Sequence, residues 1–211
     1  MVKKLSLKND PVEIQKDLER YVKLAEDSGI TNAAIVSTDK IIVDERVLMK
    51  CRFPLCSEYG ACMNCPPNTG SIEDMRARIS RFEYAIVLKL DVPGERIASS
   101  TVSSGEALED LKKLCKIVSD VESAAFYDGY YFATGFSAAS CHFIWCRGLE
   151  CQALAGNGCR QRSRVYTSME AVGIDVYRLA ISLDWEIYPV GISATPDIIP
   201  RGSRYGMVLI Y

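Results

Sequence analysis

Two short runs, 51-CRFPLCSEYGACMNCPP-67 and 141-CHFIWCRGLECQALAGNGC-159, hold eight of the nine cysteines of this chain. Segments so dense in thiols, glycine, proline and polar residues do not read as the interior of a helix or strand, so the fold has to accommodate each as a loop. At 211 residues and 48% hydrophobic content, the chain can bury a core without disulfide or metal staples. The cysteines therefore need a reason of their own. Cys115, outside both runs and on the apolar face of a predicted helix, reads as a small core hydrophobe. Eight unrelated core cysteines would not gather among such residues.

Around the runs, helical and strand periodicities alternate. Asp10, Pro11 and Glu13 signal a helix start, Gly29 its stop, and Ile14, Leu18, Tyr21, Val22 and Ala25 its apolar face. Strands are predicted over Ala33 to Ser37, Ile41 to Val43, Tyr84 to Leu90, Tyr130 to Phe136, Glu186 to Ile192 and Met207 to Tyr211. Further helices are predicted from Ser71, over 104–124, and from Ser168 onward, where Gly173 ends one turn and Asp175 caps the next. The expected fold is a single compact α/β domain over 1–211, a central sheet flanked by helices with two cysteine-rich metal-binding loops. Helix, strand, four-cysteine loop, helix and strand recur in that order, which suggests an internal pseudo-repeat with halves 10–92 and 104–192.

The first residues lack an apolar signal core, and no apolar stretch reaches the roughly 18 residues needed to span a bilayer. The expectation is a cytoplasmic protein that does not enter a membrane. In that compartment clustered thiols stay reduced and point to metal or catalysis rather than disulfides. Cys51, Cys56, Cys62 and Cys65 form one candidate ligand set, and Cys141, Cys146, Cys151 and Cys159 the other. Four thiolates suit either a tetrahedral zinc ion or a four-iron cluster. The intervals are x4, x5, x2 and x4, x4, x7, and only Cys62 and Cys65 form the short knuckle usual for structural zinc. The wider intervals, and the proline after Cys65, favour two 4Fe-4S clusters, with zinc as the alternative.

A net charge of −2 and a pI near 5.6 argue against a nucleic-acid partner. Basic residues do collect at the second run, where Arg147, Arg160, Arg162 and Arg164 outnumber Glu150; they compensate cluster charge, hold an anion, or simply face solvent. The single histidine, His142, adjoins Cys141, and adjacent residues rarely aim at one ion. No Walker loop or G-x-G-x-x-G occurs. The three resulting readings are an iron–sulfur electron-transfer or redox module served by a redox partner protein, a zinc-stabilised interaction module, and an iron–sulfur enzyme with an open iron site.

The loop ending in Tyr59, Gly60, Cys65, Pro66 and Pro67, together with SMEAVGIDV at Ser168 to Val176, resembles a prokaryotic family of predicted metal-binding proteins, domain of unknown function family 2284. The likeness covers most of residues 51–190. It implies bound metal, iron–sulfur ahead of zinc, and no particular reaction.

Overall fold

Local capping chemistry starts most of the helices. Asp10 accepts from Val12 N at 2.9 Å and Pro11 opens helix α1 (Pro11–Asp27). Asp44, Ser71, Ser104, Ser140 and Asp175 do the same for α2 (Glu45–Arg52), α3 (Ile72–Ile79), α4 (Gly105–Tyr127), α5 (Cys141–Trp145) and α6 (Val176–Ser182). The computed structural model describes residues 4–5, 10–98, 101–191 and 193–211. Among these, no helix is long and apolar enough to cross a membrane.

Five strands make one mixed sheet in the order β1 (Asn32–Ser37), β2 (Tyr84–Val92), β5 (Gly202–Leu209), β3 (Thr134–Ser137), β4 (Thr167–Ser168). Every pairing is antiparallel except β3 with β4. β2 is buried on both faces, which explains its unbroken apolar run. Ile86, Leu88 and Leu90 point to the α1 and α4 side, where they meet Leu18, Tyr21, Leu114 and Val118. Ala85 and Val87 point the other way, toward Met75, Ile79, Met169, Ile174 and Leu179. Helix α4 lies directly on the sheet, because a Cβ at Gly135 or Gly206 would come within 2.6 or 2.8 Å of the Val118 methyls. The same helix turns Leu111 and Cys115 onto Ile144 of α5, so Cys115 is a core residue.

The α/β architecture agrees with the sequence reading, while several local expectations change. Ile41 to Val43 forms no strand; Val43 makes one antiparallel bridge to Ile174 before Asp44 begins α2. The strand expected over Tyr130 to Phe136 shrinks to Thr134–Ser137, because α4 runs on to Tyr127 and the next residues turn to pack Tyr130 edge-on against Tyr21. No strand forms over residues 186–191, where Pro189 removes a ladder donor and Trp185 stacks on Tyr205 instead; Ile192 lies outside the described residues. The cysteine runs are not wholly loops either, since Cys51 sits in α2 and Cys141 opens α5. The halves also differ in detail: β3 has four residues against six in β1, and only the second half carries the extra strand β4.

The SMEAVGIDV segment acts as a hub for the first cysteine run. Its backbone grips the strand-like 42–44 stretch on both sides, with Asp44 N donating to Gly173 O at 2.8 Å and Asp175 N to Ile42 O at 2.9 Å. That grip sets where α2 begins and hence where Cys51 lies. Gly173 is left-handed, with φ 82°, and a Cβ there would stand 2.3 Å from the Ile72 methyl of α3. Gly173→Ala is therefore expected to lower stability by about 2 kcal/mol or more in urea unfolding, from backbone strain and overpacking together. Gly148→Ala has comparable strain but open space around it, and should cost about 1 kcal/mol.

Candidate metal centre

The two cysteine runs meet in space, and the meeting point is built around Glu58. Its Oε2 accepts from Ser140 Oγ at 2.9 Å and stands 3.0 Å from His142 Nδ1. The other ring nitrogen of His142, Nε2, lies 2.8 Å from the Leu149 carbonyl. Both neighbours are acceptors, so each ring nitrogen is placed to donate, which favours the protonated ring. Burial opposes that charge, but the Leu149 carbonyl and the Glu58 carboxylate together raise the His142 pKa above its ordinary value. With both nitrogens engaged, His142 has no lone pair for a metal in this arrangement. It ties the second run to the first.

Beside this clasp three thiols come together from different parts of the chain. Cys141 Sγ donates to Cys62 Sγ at 3.7 Å, and Cys65 is hydrogen-bonded to the same sulfur. Cys62 and Cys65 are buried and Cys141 is partly so. Donation from Cys141 and then Cys65 stabilises the Cys62 thiolate and lowers its pKa, while holding the Cys62 anion raises those of Cys65 and Cys141. Ser140 Oγ lies 3.6 Å from Cys62 Sγ, but its single proton goes to the nearer and stronger acceptor, Glu58. Asn64 Nδ2 donates to Cys141 Sγ at 3.6 Å, and Asn68 Nδ2 to the Cys62 carbonyl at 3.1 Å, which braces the loop between the thiols and α3.

The remaining cysteines of the second run lie near one another, and Cys146 also lies near Cys62. Burial, and then the proximity of Cys159, raises the Cys146 pKa; Cys151 and Cys62 add to it, and Arg160 opposes it. Gln161 N donates to Cys159 Sγ at 3.3 Å. Arg160 itself is anchored by Nη1 on the Glu150 carbonyl at 2.7 Å, which makes it the arginine whose charge acts on these thiols. Arg147 lies over Phe143 and Arg164 over Trp145, at 5.4 and 5.2 Å, while Arg162 lines a separate surface pocket with Glu122 and Tyr166. Cys51 and Cys56 remain a third, looser pair: Cys51 is raised chiefly by burial and then by Cys56, and Cys56 is exposed.

Thus the thiols do not sort by run. Their chemistry suits zinc or iron, and their number suits more than one centre. As placed, no three His, Cys, Asp or Glu side chains among the described residues enclose a single point. Sequence reasoning missed Glu58, Asn64 and Ser140; only Ser140 carried a local signal, as the residue before a short apolar helical turn.

Thiol accessibility offers a direct check on this arrangement. In reduced, metal-free protein, alkylation followed by peptide mass spectrometry should mark exposed Cys56 first. Cys115, buried and with its pKa raised by burial, should react last.

A family model described as Predicted metal-binding protein (DUF2284) matches residues 34–210. No curated protein and no solved structure matches the chain.

Proposed function

The chain belongs to the DUF2284 family of predicted metal-binding proteins, and from that premise we propose that it holds iron–sulfur clusters on two thiolate groups and serves as a redox module. The first group is Cys62, Cys65 and Cys141; the second is Cys146, Cys151 and Cys159. The observation that carries this reading is the convergence of Cys141 on Cys62 across 79 positions of sequence. Thiols that distant in the chain meet at a functional centre, or else by chance in a core; here they meet beside a hydrogen-bonded acid, hydroxyl and imidazole, not among aliphatic side chains. Deprotonated thiolates are the ligand form, and the low pKa of Cys62 supplies the first of them.

N–H donors to sulfur and partial burial are the levers by which a protein sets a cluster's potential. Asn64 at Cys141, Gln161 at Cys159 and the charge of Arg160 supply them here. Electron transfer through such a centre requires no acid or base from the chain. A cytoplasmic location and a redox partner protein follow from this reading.

The competing reading is zinc, and one distance favours it. Ligand sulfurs about 2.3 Å from a tetrahedral ion lie about 3.8 Å apart, and Cys62 and Cys141 stand 3.7 Å apart. Metal analysis separates the two. Protein purified without oxygen should be brown, absorb broadly near roughly 400 nm, and carry about eight iron per chain if both centres hold four. Cys65→Ser and Cys151→Ser should each remove about half of that iron, whereas the Cys51→Ser, Cys56→Ser double variant should keep most of it. Colourless protein with stoichiometric zinc overturns the iron–sulfur reading and supports the alternative.

A further inference from the structure

A cavity of about 1250 Å³ opens beside the first thiol group and lies across one end of the sheet. It exceeds the roughly 300–1,000 Å³ of ordinary small-molecule sites, and nothing in the proposed redox role requires it. Its long wall is α3 with the loop before it. Asn64, Asn68 and Thr69 stand at the thiol end of that wall, and Arg78 and Arg81 at the other. The eight residues of α3, the helical part of that wall, span about 12 Å at 1.5 Å per residue. Between them the lining is apolar, from Met75, Phe82, Phe136, Val172 and Leu209.

The charged groups of the lining are unequally engaged. Glu83 is hydrogen-bonded by the Tyr84 hydroxyl. Arg78 and Arg81, by contrast, make no side-chain hydrogen bond or ion pair among the described residues, although each is a five-donor fork suited to a carboxylate, sulfonate or phosphate. Asp39 is a carboxylate of the same lining, so the preference for anions comes from two guanidinium groups against one less engaged acid. At the opposite end Asn64 faces two ways. Its amide donates to Cys141 Sγ at 3.6 Å while the residue lines the cavity.

We propose that this cavity binds a small organic anion with an apolar body about 12 Å long, its anionic group on Arg78 and Arg81 and its far end against the Asn64 wall of the first thiol group. The cavity itself stands independently of the metal; only the contact of the ligand's far end with a metal centre rests on the function proposed above. Asn64 is the residue through which the cavity borders that thiol group.

The probe for this is 8-anilinonaphthalene-1-sulfonate, an aromatic anion, titrated by fluorescence into the full chain both as purified without oxygen and after metal removal. One saturable site per chain is expected in both forms. The Arg78→Gln, Arg81→Gln double variant should weaken it about tenfold or more, the loss of charge-assisted hydrogen bonds. Uncharged N-phenyl-1-naphthylamine should bind that variant as it binds the parent chain. Thr134→Trp, at an exposed lining position, should weaken binding of both dyes by narrowing the cavity. Non-saturating binding, or binding unchanged by both sets of substitutions, overturns the proposal. Metal content of the protein as purified reports separately on the redox reading: a chain purified without oxygen that carries no metal yet binds the dye in this pattern removes the centre and leaves the cavity site standing.

Discussion

Glu58 is the residue on which the arrangement of the candidate centre depends. One carboxylate oxygen receives the Ser140 hydroxyl and the His142 ring, and the far side of that ring is fixed by the Leu149 carbonyl. Two segments more than eighty positions apart are thereby held together by charge-assisted hydrogen bonds, roughly twice as strong as neutral ones. The clasp is partly sheltered, with 20% of the Glu58 side chain and 18% of the His142 side chain exposed, so solvent screens it less than a surface pair. Removing Glu58 would leave a largely buried imidazole ring and a hydroxyl without their carboxylate partner. The thiols beside it would lose the contact that brings Cys141 onto Cys62.

The sheet delivers the second run to that clasp. β3 is short and central enough to be pinned by β5 on one side and β4 on the other, and it ends at Ser137, three residues before Ser140. Ser137 is buried and its Oγ lies 3.4 Å from Cys115 Sγ, so the strand exit is tied to α4. Ile144 then docks α5 on Leu111 and Cys115. The first run is delivered differently, through the backbone grip of residues 173–175 on residues 42–44 and through α3. One run hangs from the sheet and α4, the other from a loop hub, and the hydrogen bonds at Glu58 join them.

This division gives each stretch of chemistry a distinct physical task without invoking catalysis. The left-handed Gly173 and the caps Asp44 and Asp175 are architectural. The thiols, with Asn64 and Arg160, form the chemical part. The large cavity along α3 borders the chemical part through Asn64 and the architectural part through Val172. A molecule bound there would touch both.

By itself the sequence determined those features that depend on near neighbours. The caps at Asp10, Ser71 and Asp175, the apolar faces of α1, α3 and α4, the doubly buried β2 and the core role of Cys115 all follow from spacing and side-chain chemistry along a few turns or residues. It also marked the eight clustered thiols as candidates for a role other than packing, since their density among glycine, proline and polar residues has no packing explanation. What it could not contain was their grouping. Spacing along the chain suggested one set per run, whereas the fold joins Cys141 of the second run to Cys62 and Cys65 of the first, and Cys146 feels Cys159, Cys151 and Cys62 alike. Ladder pairing and the Glu58 clasp act between residues far apart in sequence, so only the tertiary structure decided which sulfurs are neighbours and that a cavity opens beside them.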